Sequence, residues 1–83
     1  MGMKDIKQHI RERFGDVAPS ELAEILQVAV KKSHYMESGS ELAYMDQQPI
    51  IYLGRKIDSK YKQPFIACEL LKYLEAYPER LGD

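Results

Sequence analysis

The chain has 83 residues, of which 45% are hydrophobic and 30% are charged, and its formal net charge is −1. This balance is typical of one small globular domain and excludes a collagen-like or wholly disordered chain. The near-neutral charge gives no bulk attraction to nucleic acid. No apolar run approaches the roughly 20 residues of a membrane-spanning helix.

The cysteine content limits what can stabilise so small a domain. Cys68 is the single cysteine, so an internal disulfide and the cysteine-paired zinc sites are excluded. The first residues lack the apolar stretch of a secretory signal, and we expect a cytoplasmic protein with a reduced thiol. A core of this size contributes only about 3–5 kcal/mol, which leaves self-association as a source of further stability.

Two helices are predicted in the first half of the chain. In the first, over about 3–14, apolar side chains recur every fourth residue. These side chains are Ile6, Ile10 and Phe14. Gly15 is suited to end this helix in the left-handed conformation. A longer second helix is predicted over about 19–36, because Pro19 suits a first helical turn and apolar residues follow at helical spacing.

A β-hairpin is predicted over about 41–57. Leu42, Tyr44 and Asp46 alternate with Ala43 and Met45, and the Ile-Ile-Tyr-Leu run at 50–53 is rich in β-branched and aromatic side chains. Pro49 would lie in the turn or at the start of the second strand, where it removes no ladder bond. The alternative is a helix over 40–48, because Glu, Leu, Ala and Met are good helix formers.

The last predicted element is a helix over about 64–77. Pro64 fits its first position, and Pro78 ends it. Glu69 and Glu75 are assigned to its solvated polar side. The residues after Pro78 are expected to fray.

The order helix, helix, hairpin, helix predicts a small α+β fold in a single domain, 1–83. A two-stranded ribbon is only marginally stable alone. The hairpin must therefore pack on the helices or pair with a second copy of the chain. We expect dimerisation, if it occurs, through the hairpin edge or the second helix.

The sequence offers little for catalysis. His9, His34 and Cys68 fall in three different predicted elements, without the spacing of a metal site, and Cys68 is expected to behave as a small hydrophobe. The five glycines form no phosphate-binding loop. We therefore expect a non-enzymatic protein without metal or cofactor.

An excess of tyrosine favours protein–protein interaction. The chain has six tyrosines and no tryptophan, and tyrosine is enriched in buried interface centres. Methionines near the hairpin would add adaptable apolar contacts. The predicted partner-binding residues are Tyr35, Met36, Tyr44, Met45 and Tyr52. This pattern predicts a small regulator, inhibitor or adaptor that binds another protein.

The alternative prediction is a nucleic-acid-binding regulator. The segment 52–62 interleaves tyrosines with four cations, so its rings could stack on bases while the cations contact phosphates. The residues assigned to this role are Arg55, Lys56, Lys60, Tyr61 and Lys62. The net charge of the chain and the lack of a recognisable helix-turn-helix before the hairpin argue against this alternative.

Overall fold

The computed structural model describes residues 3–81 of the chain and the side chains of residues 5–81. In chain order the elements are helix α1 (Met3–Phe14), helix α2 (Pro19–Ile25), strand β1 (Ala29–Lys32), strand β2 (Ser40–Met45), strand β3 (Gln48–Leu53), helix α3 (Ser59–Ala76) and a short 3-10 helix (Pro78–Leu81). Three α-helices and a three-stranded mixed sheet confirm the predicted α+β fold class. None of the helices in this part of the chain is long and apolar enough to cross a membrane.

Helix α1 has the predicted bounds. Ile6 is completely buried, and the helix ends at Phe14, directly before Gly15. The φ angle of Gly15 is 75° and its N–H donates to the carbonyl of Arg11 at 2.9 Å. This left-handed glycine closes the helix as its sequence position suggests.

The prediction of one continuous helix over 19–36 is wrong, because α2 ends at Ile25. The N–H of Val28 donates to the carbonyl of Ala23, and the N–H of Gln27 donates to the carbonyl of Glu24. Together with the φ of 60° at Gln27, these bonds form a Schellman motif, in which the N–H groups beyond the helix satisfy its last carbonyls. Glutamine at the left-handed position, where glycine is usual, hides this helix end in the sequence.

The residues after α2 form strand β1 instead of further helical turns. Two valines in three residues, Val28 and Val30, favour extended backbone over helix. At the end of the strand, the Ser33 side chain accepts the N–H groups of Tyr35 and Met36 at 3.1 and 2.9 Å. This local turn replaces helical bonds with side-chain bonds and directs the chain towards β2.

The hairpin is present and the helical alternative over 40–48 is wrong. Strands β2 and β3 pair antiparallel, from Ser40 opposite Leu53 to Met45 opposite Gln48. Their connection is a two-residue turn, with φ angles of 51° and 68° at Asp46 and Gln47. Positive φ at both central residues matches the twist of the strands. The turn is thus complete before Gln48, and Pro49 lies near the start of the second strand.

Strand β3 lies at the centre of the sheet, in the order β1-β3-β2. It pairs with β1 in parallel, with Ala29 opposite Ile50. Pro49 precedes this first paired position, so its missing N–H removes no bond to β1. Ile51, completely buried, lies between Val30 on one side and Leu42 on the other.

Helix α3 begins earlier than predicted and covers the sheet. It starts at Ser59, so Pro64 lies inside the helix and not at its first position. Buried side chains from Ile66 to Leu74 pack with Ile51 and Leu53 in one core.

Two residues near the end of the chain are more buried than the sequence predicts. Glu69 is only 3% exposed, which corrects its assignment to a solvated face. Leu81 is 1% exposed within the 3-10 helix and belongs to the core, so residues 78–81 do not fray. Residues 82 and 83 lie outside the described part.

Candidate functional site at the hairpin end

Three tyrosine rings meet where the hairpin end packs on the last turn of α3. The ring centroids of Tyr44 and Tyr77 are 6.1 Å apart, and those of Tyr73 and Tyr77 are 5.6 Å apart. Tyr44 and Tyr73 complete the triangle at 6.5 Å. These are ordinary distances for favourable aromatic pairs. The three tyrosines are called the tyrosine surface below. Met45 follows Tyr44 in the chain and lies on the opposite face of β2.

The elements explain why these rings meet. Tyr44 lies on the same face of β2 as Leu42, and that face packs on α3. Tyr73 and Tyr77 are four residues apart, so they lie one above the other along α3 and its end. Tyr73 is buried, whereas Tyr44 and Tyr77 are 47% and 42% exposed. The buried ring therefore supports two rings that reach solvent.

The tyrosine surface borders an open groove of about 620 Å³. Gln27, Gln47 and Arg80 line it together with the three tyrosines. The Arg80 guanidinium donates to the carbonyl of Leu26 at 3.4 Å, which ties the 3-10 helix to the end of α2. Gln27 and Gln47 both have positive φ angles, which the end of α2 and the hairpin turn require.

The surroundings change the acidity of one phenol in this group. Burial raises the pKa of Tyr44 above its ordinary value of 10.0, and the neighbouring Tyr77 and Tyr73 raise it further by charge repulsion. Tyr44 is therefore a neutral hydroxyl at physiological pH. It can donate or accept a hydrogen bond at the rim of the groove.

The five predicted partner-binding residues do not lie on one surface. Only Tyr44 and Met45 lie at the hairpin end. Tyr35 is 98% exposed in the loop between β1 and β2, and Met36 lies beside it. Since β2 separates this loop from the hairpin turn, the two pairs lie at opposite ends of the strand. Tyr52 pairs with Glu41 and Lys31 in the sheet register, on the face away from the core.

Sequence reasoning left Tyr73 and Tyr77 out of the predicted site. Their four-residue spacing was visible, but nothing in the sequence places the end of α3 next to Tyr44. That contact depends on the packing of β2 against the helix.

The residues of the predicted nucleic-acid site are also divided. Arg55 and Lys56 both contact the carboxylate of Glu37, at 3.2 and 3.7 Å. Lys60 lies over the ring of Tyr61, 5.1 Å from its centroid. Two of the cations are thus partly neutralised, and one tyrosine face is occupied by a lysine of the same chain.

A second groove, of about 330 Å³, lies beside β1. Four cationic side chains line it, only two of which belong to the predicted basic segment. They are Lys31, Lys32, Arg55 and Lys62. We call this the lysine groove. Its floor includes the apolar side chains of Leu53, Ile57 and Ile66. Sequence reasoning missed Lys31 and Lys32 because it assigned them to a helix.

Within the described residues, none of the three residues considered for catalysis takes part in a side-chain hydrogen bond or ion pair. Cys68 and His34 are exposed, and His9 is half-buried on α1. No group of three His, Cys, Asp or Glu side chains within the described residues could hold a metal ion.

The buried Glu69 has a structural explanation. Its carboxylate accepts a hydrogen bond from the Ser40 hydroxyl at 2.8 Å, and the Lys72 ammonium lies 3.4 Å away. These contacts satisfy the carboxylate and join β2 to α3.

No family model, curated protein or solved structure matches this chain. Its function must therefore be inferred from the chemistry of the two grooves and the surfaces beside them.

Proposed function

We propose that this chain is a non-catalytic protein-interaction domain that binds another protein through the tyrosine surface, as a small regulator, inhibitor or adaptor. One observation carries the proposal. Tyr44 and Tyr77 leave 47% and 42% of their surfaces exposed at the hairpin end, with their ring centroids 6.1 Å apart. Isolated exposed apolar residues are common, but a cluster of large ones indicates a contact site.

The physical properties of these side chains support a protein partner. Tyrosine has a large apolar ring, a polar tip and few rotatable bonds, so it contributes contact area at low entropic cost. Tyr73 fixes the rings of Tyr44 and Tyr77 before any partner arrives, which further lowers the entropic cost of binding. The polar groove beside them, lined by Gln27 and Gln47, would supply the hydrogen bonds of an interface rim.

Self-association belongs to the same proposal. Strand β2 is an edge strand, and an edge presents unpaired backbone groups to any strand that approaches. A second copy pairing along β2 would extend the sheet and cover Met45. We propose this homodimer as one form of the interaction, with the hairpin edge as its contact.

An intracellular location is also part of the proposal. It is supported by Cys68, which is the single cysteine of the chain and has an exposed, free thiol. Thiols of this kind persist in reducing compartments.

Nucleic-acid binding through 52–62 ranks second. Glu37 lies against both Arg55 and Lys56, so phosphate would have to compete with a carboxylate for these cations. Lys60 and Lys62 remain as exposed cations of that segment. The chain's net charge of −1 adds no general attraction.

The test is capture from a nuclease-treated cell lysate with the tagged chain, followed by measurement of Kd with the purified captured protein. We expect the double substitution Tyr44→Ser with Tyr77→Ser to weaken binding by about 2 kcal/mol or more, the cost of losing an aromatic hot spot. The matched control is Tyr35→Ser, which removes a 98% exposed tyrosine at the other end of β2.

Analytical ultracentrifugation of the same variants measures the homodimer. A captured protein whose affinity is equal for the wild type and the double variant would contradict the proposed surface. Material that disappears with nuclease, and is also lost in Arg55→Glu with Lys56→Glu, would establish the nucleic-acid alternative.

A further inference from the structure

We propose that the free edge of β1, together with the lysine groove, is a second interaction site that binds an extended acidic peptide segment as an added β-strand. This site is distinct from the tyrosine surface and does not depend on it. Two independent features carry the inference. They are an unpaired strand edge and a set of cations without acidic partners.

The hydrogen bonds around β1 show which backbone groups are free. The N–H of Ser33 donates to the carbonyl of Leu53 on β3, at 2.8 Å. The backbone groups of successive strand residues face opposite sides, so those of Lys31 also face β3. The N–H and carbonyl groups of Val30 and Lys32 therefore face away from the sheet. Such groups are the donors and acceptors that strand addition uses.

Three of the four cations that line the lysine groove lack an acidic partner among the described residues. Among the described residues, the cations in ion pairs are Arg55, Lys56 and Lys72. Lys31, Lys32 and Lys62 have no acidic partner there. In the register of the sheet, Lys31 lies on the same face as Tyr52, whereas Lys32 lies on the core-facing side with Leu53. An added strand would thus meet a lysine on each of its faces.

Charge complementarity selects an acidic peptide over a second copy of this edge. Two β1 strands paired with each other would bring their Lys31-Lys32 pairs close together, and like charges across a strand pair are destabilising. An alternating acidic and apolar strand meets the opposite situation, since its carboxylates lie on one face beside Lys31 while its apolar side chains lie on the core-facing side, towards the groove floor.

The groove also favours a peptide over nucleic acid. None of its described lining side chains is aromatic, and single-stranded nucleic acid depends on aromatic rings for base stacking. Its floor of Leu53, Ile57 and Ile66 instead suits the apolar side chains of an alternating acidic and apolar peptide. The wall is fixed by two hydrogen bonds of 3.0 Å between Ser20 and Gln63, which join α2 to α3.

The test uses a labelled, end-capped peptide of about six residues that alternates Glu and Val, a typical strand length. We expect it to bind the full chain and to perturb the NMR amide signals of Val30 and Lys32. Lys31→Glu with Lys32→Glu should weaken binding by at least about tenfold. The control is Lys7→Glu with Arg13→Glu, exposed cations of α1 that give the same change in net charge.

A second variant tests the backbone contact. Val30→Pro removes an N–H that faces away from β3, so the pairing of the sheet remains while one bond to the added strand is lost. We expect weaker peptide binding with the amide spectrum of the core retained. If Val30→Pro does not fold, the two charge-reversal variants decide the question.

Three results would overturn the proposal. The first is no binding of the Glu–Val peptide, or equal binding of a Lys–Val peptide. The second is an equal loss of affinity in the α1 control, which would indicate general charge attraction. The third is tighter binding of an oligothymidylate that depends on Lys31 and Lys32, which would make the groove a nucleic-acid site. Retained peptide binding in Tyr44→Ser with Tyr77→Ser would show that the two sites are separate.

Discussion

The two edges of the sheet present opposite chemistry. At the β2 edge the exposed groups are rings and a thioether, from Tyr44, Tyr77 and Met45. At the β1 edge they are the ammonium groups of Lys31 and Lys32. Both edges flank the same central strand, β3. The difference therefore arises from side chains and from what packs beside each edge, not from the backbone arrangement.

The two edges are also attached to the helices in different ways. The β2 edge is joined to α3 by the buried carboxylate of Glu69, which accepts from Ser40. Near the β1 edge, α2 is joined to α3 by the exposed pair Ser20 and Gln63. Binding through the apolar rings at the β2 edge should therefore be insensitive to salt. Binding through the lysines at the β1 edge should weaken as salt screens their charges.

The largest expected loss of stability comes from a substitution in β3, the central strand that supports both edges. Ile51→Ala leaves a cavity beneath Val30 and Leu42, because Ile51 is completely buried between them. We expect the free energy of unfolding, measured with urea, to fall by about 2–5 kcal/mol. The control is Ile25→Ala, which removes the same atoms from a side chain that is 53% exposed.

The outcome for Ile51 tests whether β3 supports both sites. We expect the Ile25 variant to stay within about 0.5 kcal/mol of the wild type. In the Ile51 variant, amide exchange should rise in β1 and in β2 together. Faster exchange in one edge strand alone would show that the other edge is held without the central strand.

A smaller loss of stability is expected when the serine of each attachment is replaced by alanine. Ser40→Ala deprives the buried carboxylate of Glu69 of its hydroxyl donor, so we expect a loss of about 1–3 kcal/mol. Ser20→Ala removes an exposed hydroxyl, and the expected change is within about 0.5 kcal/mol. Equal losses in urea unfolding would contradict the distinction between a buried and an exposed attachment.

A double-mutant cycle that combines Ser40→Ala with Glu69→Ala measures the interaction energy between these two side chains. A cycle that combines Ser20→Ala with Gln63→Ala measures the interaction energy between Ser20 and Gln63. We expect a larger coupling energy in the first cycle.

The sequence predicts the regions dominated by local signals. Helix α1 shows a clear four-residue apolar repeat and a glycine stop, and the hairpin shows alternation followed by a β-branched run. Both predictions are confirmed. The segment 26–36 carries no comparable stop signal, because the left-handed residue after α2 is Gln27 instead of glycine and strand β1 carries lysines. An amphipathic helix and a short edge strand fit that pattern equally well.

The candidate sites are less predictable than the elements, because each is assembled from distant parts of the chain. Tyr44 could be selected by composition, but Tyr77 meets it only through the packing of β2 on α3. The Glu69 carboxylate looks solvated in a helical repeat and is buried because β2 lies over it. The lysine groove cannot be recognised from a sequence pattern that predicts a helix over 29–32.

The smallest expected effect is a pH dependence of stability that arises at the β2 edge alone. Because the folded pKa of Tyr44 lies above 10.0, raised first by burial and then by Tyr77 and Tyr73, the folded state holds the phenol proton more tightly than the unfolded state does. The resulting stabilisation is fully present below pH 10.0 and is lost as pH rises through the higher folded value. Tyr44 is 47% exposed, so solvent screening keeps this contribution small.

The measurement is an alkaline titration of phenolate absorbance, taken as the difference between the wild type and Tyr44→Phe. We expect the difference to report one phenol that titrates above 10.0. A partner bound at the tyrosine surface should raise that midpoint further, because it removes more water from the ring. The Glu–Val peptide at the β1 edge should leave the midpoint unchanged, since Tyr44 lies across β3 from the lysine groove. A peptide that moves the midpoint would show that the two edges are coupled through the sheet.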